Sequence, residues 1–75
     1  MTTQSIMVEA LKARFTAQQK EALATLHVYF TNPAGIGEHP QIIEEAAEQL
    51  KKLAEADDCL HTLDKHFMQN SQING

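Results

Sequence analysis

The sequence predicts an all-α protein folded as one antiparallel two-helix hairpin, and three observations predict it. Runs of β-branched and aromatic residues, which favour strands, are nearly absent, since the only one covers residues 27–31. Two long stretches, residues 5–31 and 41–68, contain neither proline nor glycine, and apolar residues recur in both at spacings of three and four. Both prolines and two of the three glycines lie between these stretches. The pattern indicates two amphipathic helices joined by one loop.

The first helix is predicted over residues 5–31, after a flexible N-terminus of residues 1–4. Its composition is rich in Ala, Leu, Glu, Gln and Lys, which favour helices. A side-chain oxygen of Thr2, Thr3 or Ser5 is expected to cap the first turn. The apolar face of this helix consists of Met7, Val8, Leu11, Phe15, Ala22, Leu26 and either Tyr29 or Phe30.

The loop is predicted over residues 32–39, where the helical pattern breaks. Pro33 disfavours the helical conformation in the residue before it, so the first helix should end there. Gly35 and Gly37 allow the positive φ angles that a sharp reversal of the chain needs. Pro40 suits the opening turn of the next helix, where its missing N–H is not required.

The second helix is predicted over residues 40–68 and a flexible tail over residues 69–75. Glu48 and Lys52 are spaced to form an ion pair across one helical turn, with a contribution of only a few tenths of a kcal/mol. The apolar positions of this helix are Ile43, Ala46, Ala47, Leu50, Leu53, Ala54, Leu60, Leu63 and Phe67.

The two predicted helices are similar in length, about 40 and 44 Å at 1.5 Å per residue. A short loop between two helices of equal length favours antiparallel packing. Folding the chain at the middle of the loop places Leu26 near Ala46 and Leu23 near Leu50. The small side chains of Ala22, Ala46 and Ala47 are expected to allow the helices to approach closely near the loop.

Composition excludes several classes of function. The net charge is −4, with ten acidic and only six scattered basic residues, which disfavours nucleic-acid binding. No long uncharged apolar run predicts a membrane span, and the first residues lack the basic region of a signal peptide. Cys59 is the only cysteine, so no intrachain disulfide is expected, and a cytoplasmic location is the natural interpretation.

The apolar stripes predict an association partner, because each is wider than one helix–helix contact requires. A hairpin of this size has no third layer, and a core this small rarely supplies more than about 3–5 kcal/mol. We expect a homodimeric four-helix bundle, with a host or partner protein as the other candidate for covering the same surface. The predicted interface residues are Leu11, Phe15, Leu23, Leu26, Phe30, Ile43, Leu50, Leu53, Leu60, Leu63 and Phe67.

The segment 35–40, Gly-Ile-Gly-Glu-His-Pro, has two glycines before a predicted helix, as phosphate-binding loops do. It lacks the third glycine of the dinucleotide motif, a preceding strand and a Gly-Lys-Ser/Thr sequence. The charge of Glu38 would also repel an anion. A structural turn is therefore the better interpretation.

The segment 57–66 is rich in metal-ligand residues, and His61 with Asp57 and Asp64 is the set that would bind a metal across a subunit interface. His61 and His66 are five residues apart, which separates them by about 140° around a helix. A solvated acidic face is the simpler interpretation. A metal- or small-ligand-binding helical bundle therefore remains the alternative hypothesis, and no cofactor is expected.

Two further pairings are hypotheses about the fold. His27 and His39 both lie near the loop and would give a pH-sensitive contact if they meet. Asp57 interrupts the apolar pattern of the second helix, and a pair with Arg14 or Lys12 would fix the register of the helices. Cys59 has acidic neighbours that disfavour a reactive thiolate, so no enzymatic nucleophile is expected.

The segment 26–40, Leu-His-Val-Tyr-Phe-Thr-Asn-Pro-Ala-Gly-Ile-Gly-Glu-His-Pro, resembles small helical proteins encoded by contractile-tailed bacteriophages of marine cyanobacteria and related marine bacteria. The similarity continues through Ala-Glu-Ala-Asp-Asp-Cys-Leu at 54–60. The resemblance implies a phage accessory protein acting in an infected cell, and it supplies no activity, catalytic residue or cofactor. The expected function is a non-enzymatic protein–protein interaction module that binds a host or phage protein.

Overall fold

The structure, a computed structural model, describes residues 2–31 and 41–68. Helix α1 covers Thr3–Thr31, and helix α2 covers Ile42–Leu63 and continues into one π-helical turn, Asp64–Met68. The two helices pack against each other, and the described residues contain no strand. The predicted all-α helical hairpin is therefore confirmed.

The first turn of α1 is closed by Thr2. Its Oγ1 accepts a hydrogen bond from the backbone N–H of Ser5 at 3.0 Å, and its carbonyl accepts one from the N–H of Ile6 at 3.0 Å. Thr2 is thus the capping residue among the three that the sequence offered. Because this cap lies early, the helix begins at Thr3, two residues before the predicted start, and Thr3 and Gln4 are helical.

Helix α2 begins at Ile42, and Gln41 precedes it without a side-chain cap. The Gln41 carbonyl accepts a hydrogen bond from the N–H of Glu45 at 2.9 Å. Glu44 and Glu45 lie in the first turn, where negative charge interacts favourably with the helix dipole. Pro40, the predicted loop 32–39 and the predicted tail 69–75 lie outside the described residues.

The ion pair predicted on α2 has a different partner. Glu48 Oε2 lies 3.6 Å from the Nζ of Lys51, three residues along the helix, whereas the prediction named Lys52. Both side chains of the observed pair are largely exposed, so it contributes little to stability. The backbone carbonyl of Lys52 accepts a hydrogen bond from the side chain of Gln18 on α1.

Two side-chain contacts far apart along α1 show that the helices run antiparallel. In the middle of α1, Gln18 bonds to Glu55 at 2.9 Å, and near the end of α1, Tyr29 bonds to Glu45 at 3.2 Å. The partner therefore moves back along α2 as α1 advances. Asp57 bonds to Gln19 at 2.7 Å, and not to Arg14 or Lys12 as predicted. The carboxylate of Asp57 is exposed and accepts this bond from a neutral amide N–H.

The core between the helices is small. The buried apolar residues among those described are Ala22, Leu26, Ala56 and Leu63, and no side chain larger than alanine is fully buried. Ala22 and Ala56 are 1% and 0% exposed, which brings the helix backbones close together. Ala22 was predicted to have this role together with Ala46 and Ala47, but Ala46 is only half-buried and Ala47 is exposed. Ala56 was not predicted to have it, although it lies seven residues before Leu63 on the same face.

Leu26 provides the most direct test of this core because it is only 4% exposed. Leu26→Asp places an unpaired charge between the helices, and we expect it to reduce the free energy of unfolding by several kcal/mol, about 3 or more. Val28→Asp is the matched control, since Val28 lies two residues away and is half-exposed. Thermal melts followed by circular dichroism measure both. Equal stability of the two variants would show that Leu26 is not a core residue.

Candidate interaction surfaces

A polar layer crosses the middle of the hairpin. Gln18 Nε2 donates to the backbone carbonyl of Lys52 and to Oε1 of Glu55, both at 2.9 Å. Gln19 Nε2 donates to Oδ1 of Asp57 at 2.7 Å. Since Gln18 and Gln19 are adjacent and point about 100° apart, these bonds lie on opposite sides of the contact between the helices. We call these sides the Glu55 flank and the Asp57 flank.

The Asp57 flank carries an exposed apolar patch. Residues four, seven and eleven positions apart lie on nearby lines along one side of a packed helix. Leu23 and Phe30 follow Gln19 by four and eleven positions, and Leu50 and Ile43 precede Asp57 by seven and fourteen, so all four lie on this flank. Their exposed fractions range from 49% to 75%. We call Leu23, Phe30, Ile43 and Leu50 the Phe30 patch; it lies where α1 ends and α2 begins.

The Glu55 flank carries a second apolar surface at the opposite end of the hairpin. Leu11 precedes Gln18 by seven residues and Cys59 follows Glu55 by four, so both lie on this flank. A shallow groove runs here between the start of α1 and the end of α2. We call it the Phe67 groove; its apolar lining consists of Met7, Val8, Leu11, Phe15, Cys59, Leu63 and Phe67.

The eleven predicted interface residues occupy three kinds of position. Leu26 and Leu63 are buried within the hairpin, whereas Phe15, Leu53 and Leu60 are half-buried along the contact between the helices. The six exposed residues divide between the Phe30 patch and the Phe67 groove; they are Leu11, Leu23, Phe30, Ile43, Leu50 and Phe67.

The sequence pattern predicted these exposed residues as one surface and placed Met7 on the inner face, although Met7 is 60% exposed. The missed signal is the seven-residue spacing, which puts Leu23 with Phe30 on one line and Ile43 with Leu50 on another. The structure adds that the line of Leu23 and Phe30 and the line of Ile43 and Leu50 lie on the same flank. That information comes only from the bonds between the helices.

The surroundings of Tyr29 raise the pKa of its hydroxyl. Its hydroxyl donates a hydrogen bond to Oε1 of Glu45 at 3.2 Å, in a partly buried position. Loss of solvation raises the pKa of the Tyr29 hydroxyl above its ordinary value, and the bond to Glu45 and the negative charge of Glu45 raise it further. The folded state therefore favours the neutral form of the Tyr29 hydroxyl.

The candidate metal residues do not come together in one chain. Among residues 2–31 and 41–68, no group of three or more His, Cys, Asp and Glu side chains is arranged to hold a metal ion. Asp57 is bonded to Gln19, and His61 is exposed. Cys59 is a half-buried free thiol. The predicted contact between His27 and His39 and the glycine-containing loop involve residues outside the described ranges.

The described helices also bear on membrane association, since none of them is both long and apolar enough to cross a membrane. Comparison with known proteins adds no further constraint: no protein-family model matches the chain, and no curated protein or solved structure shows significant similarity to it. A function must therefore be inferred from the two apolar surfaces and the polar layer between them.

The bond between Tyr29 and Glu45 makes a prediction about alkaline pH. Because the pKa of Tyr29 is raised on folding, its contribution is complete below the ordinary tyrosine pKa and is lost as pH rises through the folded-state value. We expect the melting temperature of the wild type to fall relative to that of Tyr29→Phe between pH 8 and pH values above about 10. All other groups titrate in both proteins, so the variant is its own control. A difference that does not change with pH would contradict the assigned bond.

Proposed function

We propose that the chain is a non-enzymatic protein–protein interaction module whose hairpins pair into a homodimeric four-helix bundle. The observation that carries the proposal is the distribution of apolar side chains. Two leucines and two alanines are buried among the described residues, whereas nine large apolar side chains are exposed. Exposed apolar side chains in this number favour association, because removing apolar surface from water is favourable.

The size of the accessible surface supports the same proposal. The chain exposes 5787 Å², and a compact monomer of 8.4 kDa is expected to expose about 4,600 Å². The larger accessible surface fits the elongated shape, 55 × 21 × 17 Å, because two helices lying side by side leave most of each helix circumference uncovered. Pairing two hairpins converts one flank of each into the core of a bundle.

The polar side chains between the helices support a structural role over a catalytic one. Gln18, Gln19 and Tyr29 each donate to a group on α2, so their donors are used to hold the two helices together. No buried side-chain polar atom of the described residues lacks a hydrogen-bond partner. These polar side chains are therefore already hydrogen-bonded in the folded chain, and binding through apolar contact does not require them to rearrange.

The Phe67 groove is the surface that we assign to a different protein. It has a buried floor at Leu63 and exposed apolar walls at Met7, Leu11 and Phe67, which suits the apolar face of a partner helix. The resemblance to marine phage proteins supports a host or phage protein as that partner. The site of action would then be the cytoplasm of the infected cell.

The dimer is tested by mass and by its dependence on concentration. Sedimentation equilibrium is expected to give twice the 8.4 kDa chain mass at micromolar concentration. The melting temperature should rise with protein concentration, because dimer formation stabilises the folded state by mass action. A folded monomer whose melting temperature is independent of concentration would refute the dimer.

The assignment of the groove is tested by substitution in affinity capture from infected cells. Phe67→Asp is expected to abolish capture of any specific partner, since it places a charge on the wall of the groove. Val28→Asp is the control, because Val28 is exposed to a similar extent and does not line the groove. Partners retained equally by both baits would show that another surface binds them.

A further inference from the structure

We infer that the second copy of the chain docks on the Phe30 patch with both hairpins pointing the same way, so that α1 of each copy lies against α2 of the other. This inference rests on the proposed homodimer and specifies its geometry. Three features of the described residues carry it: the position of the patch, the charges of the two helices and the small residues beside the patch.

The position of the patch selects the orientation of the second copy. The patch lies at one end of the Asp57 flank, next to Thr31 and Gln41, and the flank becomes polar towards its middle at Gln19 and Asp57. A two-fold axis parallel to the helices keeps both patches at the same height, so they meet over their whole length. A two-fold axis across the helices inverts one hairpin, so the two patches meet only if the hairpins overlap at that end alone.

The charges of the helices select the same arrangement. Helix α1 carries three basic and two acidic side chains, a net charge of +1, whereas residues 42–68 carry three basic and seven acidic ones, a net charge of −4. With the axis parallel to the helices, each α1 neighbours the α2 of its partner, and unlike charges are adjacent. With the axis across the helices, α2 faces α2, and the acids of the Asp57 flank, Asp57 and Asp64, lie on both facing helices.

The edge of the patch on α2 is suited to close approach by another helix. Ala47 and Ala54 follow Ile43 and Leu50 by four residues each, so they lie on the outer side of the patch. Both are exposed, in contrast to Ala22 and Ala56, which are buried between α1 and α2. Small side chains at this edge let the α1 of a second copy pack closely against α2, as Ala22 and Ala56 do within one chain.

The Phe30 patch has the area of a typical surface binding patch. At 49–75% exposure, its four large side chains present on the order of 400 Å² of apolar surface per copy. Patches of about 300–600 Å² on otherwise polar surfaces commonly mark binding sites. The Phe67 groove lies on the other flank and stays open in this dimer, so a second protein has access to it.

Chemical cross-linking tests the geometry directly. In a Cys59→Ser background, Leu23→Cys and Leu50→Cys give two chains with one thiol each, and one of them is isotopically labelled. After mixing and refolding, a short bismaleimide is expected to yield mainly the mixed-mass dimer, because Leu23 of one copy faces Leu50 of the other. Dimers formed as efficiently by either chain alone would overturn the arrangement, and so would a dimeric mixture that does not cross-link.

A pair of matched substitutions tests the choice of flank. Phe30→Asp is expected to give a helical monomer, whereas Phe67→Asp, a change of the same residue type on the other flank, should remain dimeric by light scattering. If the wild type is itself monomeric, the proposed dimer fails together with this inference. If Phe67→Asp separates the copies and Phe30→Asp does not, the dimer stands and the inference alone is wrong.

Discussion

Two helices can shelter from water only the side chains that lie between them, and this constraint governs the whole molecule. Each helix presents one narrow face to the other, and small alanines at positions 22 and 56 bring the backbones close together. Close approach strengthens the contact but leaves little volume for large side chains. Leu26 and Leu63 fill that volume, Phe15, Leu53 and Leu60 are half-buried along the contact, and nine other large apolar side chains are exposed.

The hydrogen bonds between the helices have a different role from the apolar contacts. Each net bond contributes on the order of 1 kcal/mol at most, and those of Gln18 and Gln19 are partly exposed. Their value is geometric, since each glutamine reaches a particular acceptor on α2 and a shift of register would break the bonds together. Tyr29 adds a third fixed point near the end of α1, through Glu45. Polar contacts thus define which residues share a flank, while apolar burial supplies the driving force.

The separation of the two apolar surfaces gives the proposed function its form. The Phe30 patch and the Phe67 groove lie on different flanks and at different ends of the hairpin, with the glutamine layer between them. Self-association through the patch and binding of another protein through the groove therefore do not compete for the same residues. A small chain can in this way combine a stable dimer with two open grooves, one on each copy.

The amino-acid sequence by itself determined the all-α class, the two long helices and the three residues from which the structure selects the cap, because helix propensity and the spacing of apolar residues are local properties. It also identified most of the apolar residues that are exposed. Only the tertiary structure decided that Asp57 bonds to Gln19, that Ala56 belongs to the core and that the exposed residues form two surfaces. These facts depend on the register and rotation of one helix against the other, which side chains distant in the chain set jointly through interactions that no local pattern encodes.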